Sequence, residues 1–269
     1  MFQQAGPLKT FTFDPSQFGL FALPQQGNGA TPIKPIDILN ASGAVAALNG
    51  PMFGVCPGQN LPRGNAQYGV SSCDTLQYFE YDAGQSLNVQ GLYASRGITI
   101  SVVNGEATAT SGGSFPSDAS VAVQLYPALI DNGHIVASQD KDTDRVWRSG
   151  LAILSTGQLM FAVGQMSMYD FASSLADLGA IYAGYTDGGG STAMVASGEF
   201  AGSSEGRPVP SWLIVRVPGS GGGTPASPGI GGLLSNVSGS LVQRLQSQPM
   251  LYVGGALVAA GLIALALRR

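Results

Sequence analysis

Short apolar runs bounded by glycine-containing turns constrain the fold of this chain more than any other feature. Four such runs occupy residues 97–104, 121–130, 150–155 and 159–164, and they are bounded by Asn-Gly, Asp-Asn-Gly or Thr-Gly. These turn sequences and spacings are typical of antiparallel hairpins. The pattern therefore predicts a domain that consists mainly of β-sheet.

The amino-acid composition agrees with a sheet-rich protein and excludes one class of partner. The chain has 39 glycines and 16 prolines, and only 10% of its residues are charged, against about 25% in typical soluble domains. The net charge of -4 and the pI near 4.8 provide no basic surface. We therefore expect no nucleic-acid partner, because nucleic-acid binding requires such a surface.

One helix is predicted within residues 167–180. Its apolar positions share one face: Met168, Phe171, Ala172, Leu175 and Leu178. Ser167 is a suitable N-cap with Asp170 three residues later, and Gly179 is a natural stop. A buried strand follows at 180–185, and a last strand lies near 211–217. The predicted fold class is α+β, a single domain with a mixed or antiparallel sheet and one main helix.

The chain divides by composition into four parts. Residues 1–35 are predicted to be an N-terminal arm and 36–218 the folded domain. Residues 219–249 contain a Gly/Pro/Ser-rich linker and a short amphipathic segment. Residues 250–269 are predicted to be a C-terminal membrane helix, because 251–267 carry no charge and two arginines follow.

The predicted anchor implies a location for the domain. Terminal arginines favour the cytoplasmic side of a membrane, so the domain is expected to be extracytoplasmic or on a virion surface. No secretory signal is recognisable at the N-terminus, which leaves a tail-anchored internal domain as the alternative. A further alternative is a sorting signal that is removed after export.

Three consecutive glycines, Gly188 to Gly190, follow a lone acid, Asp187, and precede two hydroxyls, Ser191 and Thr192. Glycine is costly to order, so bare backbone at this point indicates that something approaches it closely. A sugar ring or phosphate fits there, since successive amides bind anions. The alternative is that Asp187 merely bonds its own loop.

The order of several motifs resembles the phosphodiester glycosidase family over residues 36–217. The motifs are "LNGPMF" (48–53), "YPALIDNGHI" (126–135), "WRSGLAIL" (147–154), "GQMSMYDFASSLADLGA" (164–180), "YTDGGGSTAMV" (185–195) and "GRPVPSWLIV" (206–215). This resemblance implies cleavage of a sugar-1-phosphodiester or a related glycan linkage. It also implies that Asp187, Asn49 and Arg148 are catalytic, and that Arg207 and residues 188–192 bind substrate.

Each implied role has a structural alternative. Arginine matches phosphate oxygens in a two-pronged fork, but Arg148 has an acidic run at 140–144 as a possible partner, and Arg207 has Glu205. Asn49 either orients a sugar hydroxyl or a water, or only supplies a left-handed turn. The second carboxylate of a glycosidase is open between Glu205 and Asp170.

The remaining candidates are weaker. His134 is expected to be exposed rather than catalytic. Cys56 and Cys73 form a local disulfide or are small buried groups. We expect no cofactor, and a metal requirement stays open, because the run at 140–144 lacks the rest of a calcium loop.

The sequence thus predicts a hydrolase that acts on a glycan or sugar-phosphate substrate and is attached to a membrane. The alternative is a non-catalytic structural or glycan-binding protein of a virion or cell surface, since fold does not fix function.

Overall fold

Antiparallel strand pairs form the frame of this protein. The computed structural model describes residues 2–24, 34–51, 80–82, 85–88, 97–112, 114, 116–140, 142–204, 206, 209 and 211–217, all in one compact unit of the chain. Within these residues the strands are β1 (Gln3–Ala5), β2 (Leu8–Phe13), β3 (Gly19–Pro24), β4 (Ala46–Asn49), β5 (Glu80–Asp82), β6 (Gln85–Asn88), β7 (Ile98–Val103), β8 (Glu106–Ser111), β9 (Val121–Leu125), β10 (Ala128–Asp131), β11 (His134–Ile135), β12 (Val146–Leu154), β13 (Leu159–Met166), β14 (Ala180–Tyr185), β15 (Ala193–Ala196), β16 (Glu199–Gly202) and β17 (Ser211–Arg216). The helices are α1 (Ile38–Ser42) and α2 (Met168–Asp177), and 3₁₀ turns cover Pro35–Asp37 and Gly189–Ser191.

The strands form three sheets in which all described pairings are antiparallel. The large sheet has the order β1-β2-β13-β12-β14-β10-β11, the second sheet β16-β15-β4-β17-β3, and the third sheet β6-β5-β9-β7-β8. The predicted sheet-rich domain with one main helix, α2, is confirmed within the described residues.

The predicted turns form, with one correction. Asn104 and Gly105 between β7 and β8 have φ of 50° and 81°, the left-handed values of a tight hairpin turn. Residues 121–130, however, are not one strand. They divide at Tyr126–Pro127 into β9 of the third sheet and β10 of the large sheet, because proline has no N–H for a sheet ladder.

Helix α2 begins and ends where its capping residues predict. The Asp170 amide donates to the Ser167 hydroxyl (3.1 Å), and Gly179 has the left-handed φ of 86° beyond the last turn. Phe171 and Leu175 are buried, but the prediction that Leu178 joins their face is wrong. The helix ends at Asp177, so Leu178 lies past its last turn and is exposed.

Apolar side chains pack in layers around the sheets. The central core takes buried residues from all three sheets: Leu48, Ile100, Val123, Leu151, Phe161 and Leu213. A second cluster lies between the large sheet and α2, and a third covers the second sheet at Ile38 and Trp212.

The two ends of the chain differ in what the structure describes. The predicted N-terminal arm contributes β2, which pairs with β13, and β3, which pairs with β17. The predicted linker 219–249 and anchor 250–269 lie outside the described residues. Among the residues that are described, no helix is long and apolar enough to cross a membrane.

Candidate functional site

The loop of residues 186–192 carries the predicted acid and joins two sheets. It leaves the large sheet at the end of β14 and enters the second sheet at the start of β15. The Thr186 amide donates to the carbonyl of Ser149 in β12 (3.0 Å), and the Asp187 amide donates to the carbonyl of Gly50, just after β4 (3.1 Å). Asp187 therefore lies at the junction of the large and second sheets.

Asn49, the last residue of β4, holds this loop from inside the protein. Its side chain is fully buried, and Nδ2 donates to the carbonyls of Asp187 (2.7 Å) and Gly50 (3.4 Å). Its Oδ1 accepts from the Ala193 amide (3.0 Å). Because the amide group bonds main chain at both ends of the loop, Asn49 is placed to position Asp187. Its backbone is not left-handed, so a turn role does not account for it.

Two hydroxyls complete the inner contacts of the loop. Ser149 Oγ donates to the Asp187 carbonyl and accepts from Thr186 Oγ1 at 2.7 Å. Both residues are fully buried. We name Asn49, Ser149 and Thr186 the inner clamp. Neither hydroxyl was predicted as part of the site, although each residue directly adjoins a predicted site residue, Arg148 or Asp187.

Asp187 is half-buried. The Gly188 amide donates to its Oδ1 (2.9 Å), so the acid does bond its own loop, as the structural alternative holds. Gly188 has no room for a side chain, because a Cβ would overlap the Tyr185 hydroxyl and lie 3.1 Å from the Trp147 carbonyl oxygen. Packing therefore requires bare backbone at this position.

The next residues present main chain and a buried hydroxyl. Gly189 has a left-handed φ of 59°, and the 3₁₀ turn is closed by the amides of Ser191 and Thr192. The amides of Gly189 and Gly190 donate to none of the described residues, which leaves two consecutive N–H groups for an anion. Thr192 is buried, and its Oγ1 has no partner among the described residues. Buried hydroxyls are usually bonded.

Arg148 is bound within the protein rather than directed to solvent. It is 3% exposed, its Nε donates to the Met166 carbonyl (3.2 Å), and its Nη2 donates to the Asp144 carbonyl (3.0 Å). Nη2 also forms an ion pair with Asp142 Oδ1 (3.3 Å). The alternative pairing with the acidic run is thus the one observed. The guanidinium carbon lies 5.8 Å from the ring centre of Tyr185.

Tyr185, for which no site role was predicted, links Arg148 to the loop. Burial raises the pKa of Tyr185 to about 12, against the opposing effect of a hydrogen bond and positive charge from Arg148. The negative charges of Asp187 and Asp142 raise this pKa further. Both carboxylates therefore act on the Tyr185 hydroxyl, which stays protonated at neutral pH. We name Tyr185, Arg148 and Asp142 the outer clamp.

The other candidates lie elsewhere or are not described. Asp170 is exposed and pairs with Arg145 at 3.3 Å on the surface. His134 is exposed, as predicted. The remaining predicted positions lie outside the described residues: Arg207, Glu205, Cys56 and Cys73. Within the described part of the chain, no group of three or more His, Cys, Asp or Glu side chains could hold a metal ion.

Comparisons with known proteins agree with the motif order. The catalytic domain of zebrafish N-acetylglucosamine-1-phosphodiester alpha-N-acetylglucosaminidase, auto-inhibited by its pro-peptide, has a similar structure, with a TM-score of 0.56 and 17% identity. The match covers 78% of this chain and 76% of that one. At this identity the likeness concerns the fold alone.

A hypothetical protein from Synechocystis also matches, with a TM-score of 0.48 and 19% identity over 81% of this chain. The chain spans only 61% of that protein. No curated protein matches this chain in sequence.

The family model for phosphodiester glycosidases matches residues 42–216. This range includes the loop 186–192 and both clamps. The chain therefore belongs to the phosphodiester glycosidase family.

Proposed function

We propose that this protein is a hydrolase that cleaves a glycosidic or sugar-1-phosphodiester bond in a surface glycan or polysaccharide, with Asp187 as its catalytic carboxylate. The main support is the way the loop is held. The Asp187 main chain is bonded by Asn49, Ser149 and Gly50, while the residue stays half-buried and its carboxylate accepts from the Gly188 amide. An acid held in a fixed position on a half-buried residue suits catalysis better than a purely structural turn.

The chemistry follows from these groups. Cleavage at an anomeric carbon passes through a cationic, oxocarbenium-like sugar, which a carboxylate stabilises or helps to form by activating water. The amides of Gly189 and Gly190 are suited to hold a phosphate oxygen. Arg148 is occupied inside the protein, so Arg207 is the arginine that we assign to the charge of the diester.

The test compares Asp187→Asn with the wild type on a methyl diester of N-acetylglucosamine 1-phosphate and on surface polysaccharides, using the full chain in detergent. We expect a loss of about 10²- to 10⁴-fold in kcat with little change in melting temperature. Asp118→Asn, an exposed acid, is the matched control and should keep full activity. Equal activity in Asp187→Asn would remove the catalytic role.

The same assay addresses the alternative function. Binding of polysaccharide by the wild type without release of product would favour a non-catalytic glycan-binding or structural protein. Product release that depends on Asp187 would exclude it.

We also propose that residues 250–269 anchor the protein in a membrane, with the domain extracytoplasmic or on a virion surface. Its support is the uncharged stretch 251–267 ahead of two arginines. Deletion of 250–269 should move the protein from the membrane fraction to the supernatant. Retention in the membrane fraction would contradict this proposal, and protease digestion of intact cells or particles reports which side the domain occupies.

A further inference from the structure

The hydroxyl of Tyr185 occupies the space that a side chain at residue 188 would need. A Cβ on Gly188 would overlap this oxygen and would lie 2.7 Å from the ring carbon Cζ. Tyr185 is 5% exposed and packs in the apolar cluster of α2 with Phe171, so the ring cannot move aside freely. The phenol therefore limits where Gly188 can lie.

The position of Gly188 in turn affects the carboxylate of Asp187. Its amide donates to Asp187 Oδ1 at 2.9 Å, so a shift of Gly188 moves a hydrogen-bond donor of the carboxylate. A continuous line of contacts thus runs from the Tyr185 hydroxyl through Gly188 to Asp187.

Arg148 contacts the aromatic ring of Tyr185. Its guanidinium carbon lies 5.8 Å from the ring centre, within the range of a cation–π contact. The guanidinium also bonds Met166, Asp142 and Asp144 and is almost wholly buried. These contacts leave it little surface on which to receive a phosphodiester.

We propose that Tyr185 is a positioning residue for Asp187, that it acts through Gly188, and that Arg148 holds Tyr185 instead of binding substrate. The inference rests on the proposed function in that it takes Asp187 as the acid that acts on the substrate. Its packing part, the contact between the hydroxyl and residue 188, is independent of any activity.

The packing part is tested by a double-mutant cycle on the full chain, read as melting temperature. Gly188→Ala should lower the melting temperature by about 3–6 °C in the wild type, because the added methyl overlaps the hydroxyl. In the Tyr185→Phe background, Gly188→Ala should lower the melting temperature by clearly less, since the overlapping oxygen is gone. Tyr182→Phe, on the same strand, is the matched background and should leave the cost unchanged. Equal costs in all three backgrounds would overturn the contact.

The positioning part is tested by kinetics on the methyl diester. Tyr185→Phe should lower kcat on the order of tenfold with KM changed less than about twofold, because a displaced acid impairs the chemical step and not binding. Tyr182→Phe should match the wild type. Full kcat in Tyr185→Phe would overturn the role of the hydroxyl.

The Arg148→Met variant distinguishes between two roles of Arg148, which are to hold Tyr185 in place or to bind the substrate. We expect a lower kcat at unchanged KM, and little further loss when it is combined with Tyr185→Phe, because both act along one line of contacts. A raised KM with unchanged kcat would show that Arg148 binds the diester. Arg148→Lys, which keeps the charge, serves the same comparison if the Met variant does not fold.

The two levels of failure can be told apart. A wild type that hydrolyses no probe would contradict the proposed function, and the double-mutant cycle would still decide the contact. An active wild type with equal costs in the cycle would contradict this inference alone.

Discussion

The inner clamp bonds the loop directly, whereas the outer clamp meets the loop only where Tyr185 lies against Gly188. The inner clamp of Asn49, Ser149 and Thr186 is uncharged and fully buried, and it bonds the Asp187 main chain. The outer clamp includes the ion pair between Arg148 and Asp142, and the Asp142 side chain is 55% exposed. We infer that neutral hydrogen bonds fix the position of the acid, whereas ionised groups act on its surroundings. The stability contributed by the inner clamp should therefore be insensitive to salt and pH, and the stability contributed by the outer clamp should respond to both.

The largest expected effect lies in the inner clamp. Asn49→Ala removes the acceptor of the buried Ala193 amide and one of the two described donors to the Asp187 carbonyl, Ser149 being the other. We expect the free energy of unfolding to fall by about 3 kcal/mol, measured by urea denaturation. Asn40→Ala, an exposed asparagine of α1, should change it by less than about 0.5 kcal/mol. Similar losses of unfolding free energy in both variants would contradict the role of Asn49 in the inner clamp.

The next effect concerns alkaline stability and the outer clamp. The pKa of Tyr185 is raised from 10.0 to about 12, chiefly by burial. The unfolded chain releases this proton near pH 10, while the folded protein keeps it until about pH 12. The contribution is therefore complete below pH 10 and is lost as the pH rises toward 12, by at most about 3 kcal/mol. Tyr185→Phe should lose less stability over this range, as measured by urea denaturation at several pH values. Parallel curves for the two proteins would contradict the raised pKa.

A smaller effect is expected at the hydroxyl pair. Ser149→Ala removes one of two donors to the Asp187 carbonyl and the acceptor of Thr186 Oγ1. We expect a loss of about 1 kcal/mol, because Asn49 still bonds that carbonyl. Thr186→Val in the Ser149→Ala background should add little. Strictly additive losses would show that the two hydroxyls do not act together.

The smallest effect is expected at Asp142. Asp142→Asn removes an ion pair with a half-exposed acid, but Arg148 keeps the carbonyls of Met166 and Asp144 as acceptors. We expect a loss below about 1 kcal/mol that shrinks at high salt. Asn49→Ala measured across the same salt series should show no such trend. A salt-dependent Asn49→Ala effect would remove the distinction between the clamps.

Local signals in the sequence predicted the parts of the fold that depend on neighbouring residues. Asn104-Gly105 predicts its hairpin, Ser167 and Gly179 predict the ends of α2, and strand 180–185 delivers Asp187 to its own end. Each of these depends on backbone preferences within a few positions. The partition of the strands into three sheets does not depend on such local preferences. The run 121–130 has a continuous apolar pattern, which gives no sign that Pro127 divides it between two sheets.

The contacts of the candidate site could not be predicted in the same way. Asn49 bonds a carbonyl 138 positions away, and only folding brings the two together. For Arg148 the sequence offered a phosphate or the acidic run as partner, and the folded chain pairs the guanidinium with Asp142 of that run. In the sequence, Tyr185 is only the last residue of an apolar strand. Its contact with Gly188 could not be predicted, because it requires the chain to turn back on itself.

The loop that joins the large and second sheets has a mechanical consequence. Because residues 186–192 are bonded to β12 on one side and to the end of β4 on the other, any sliding of one sheet over the other must displace the acid. Under the proposed function, core substitutions far from the loop should register first as slower turnover, before the protein loses measurable stability. The edge strand β11 has no described hydrogen bond to this loop and is where insertions should be tolerated.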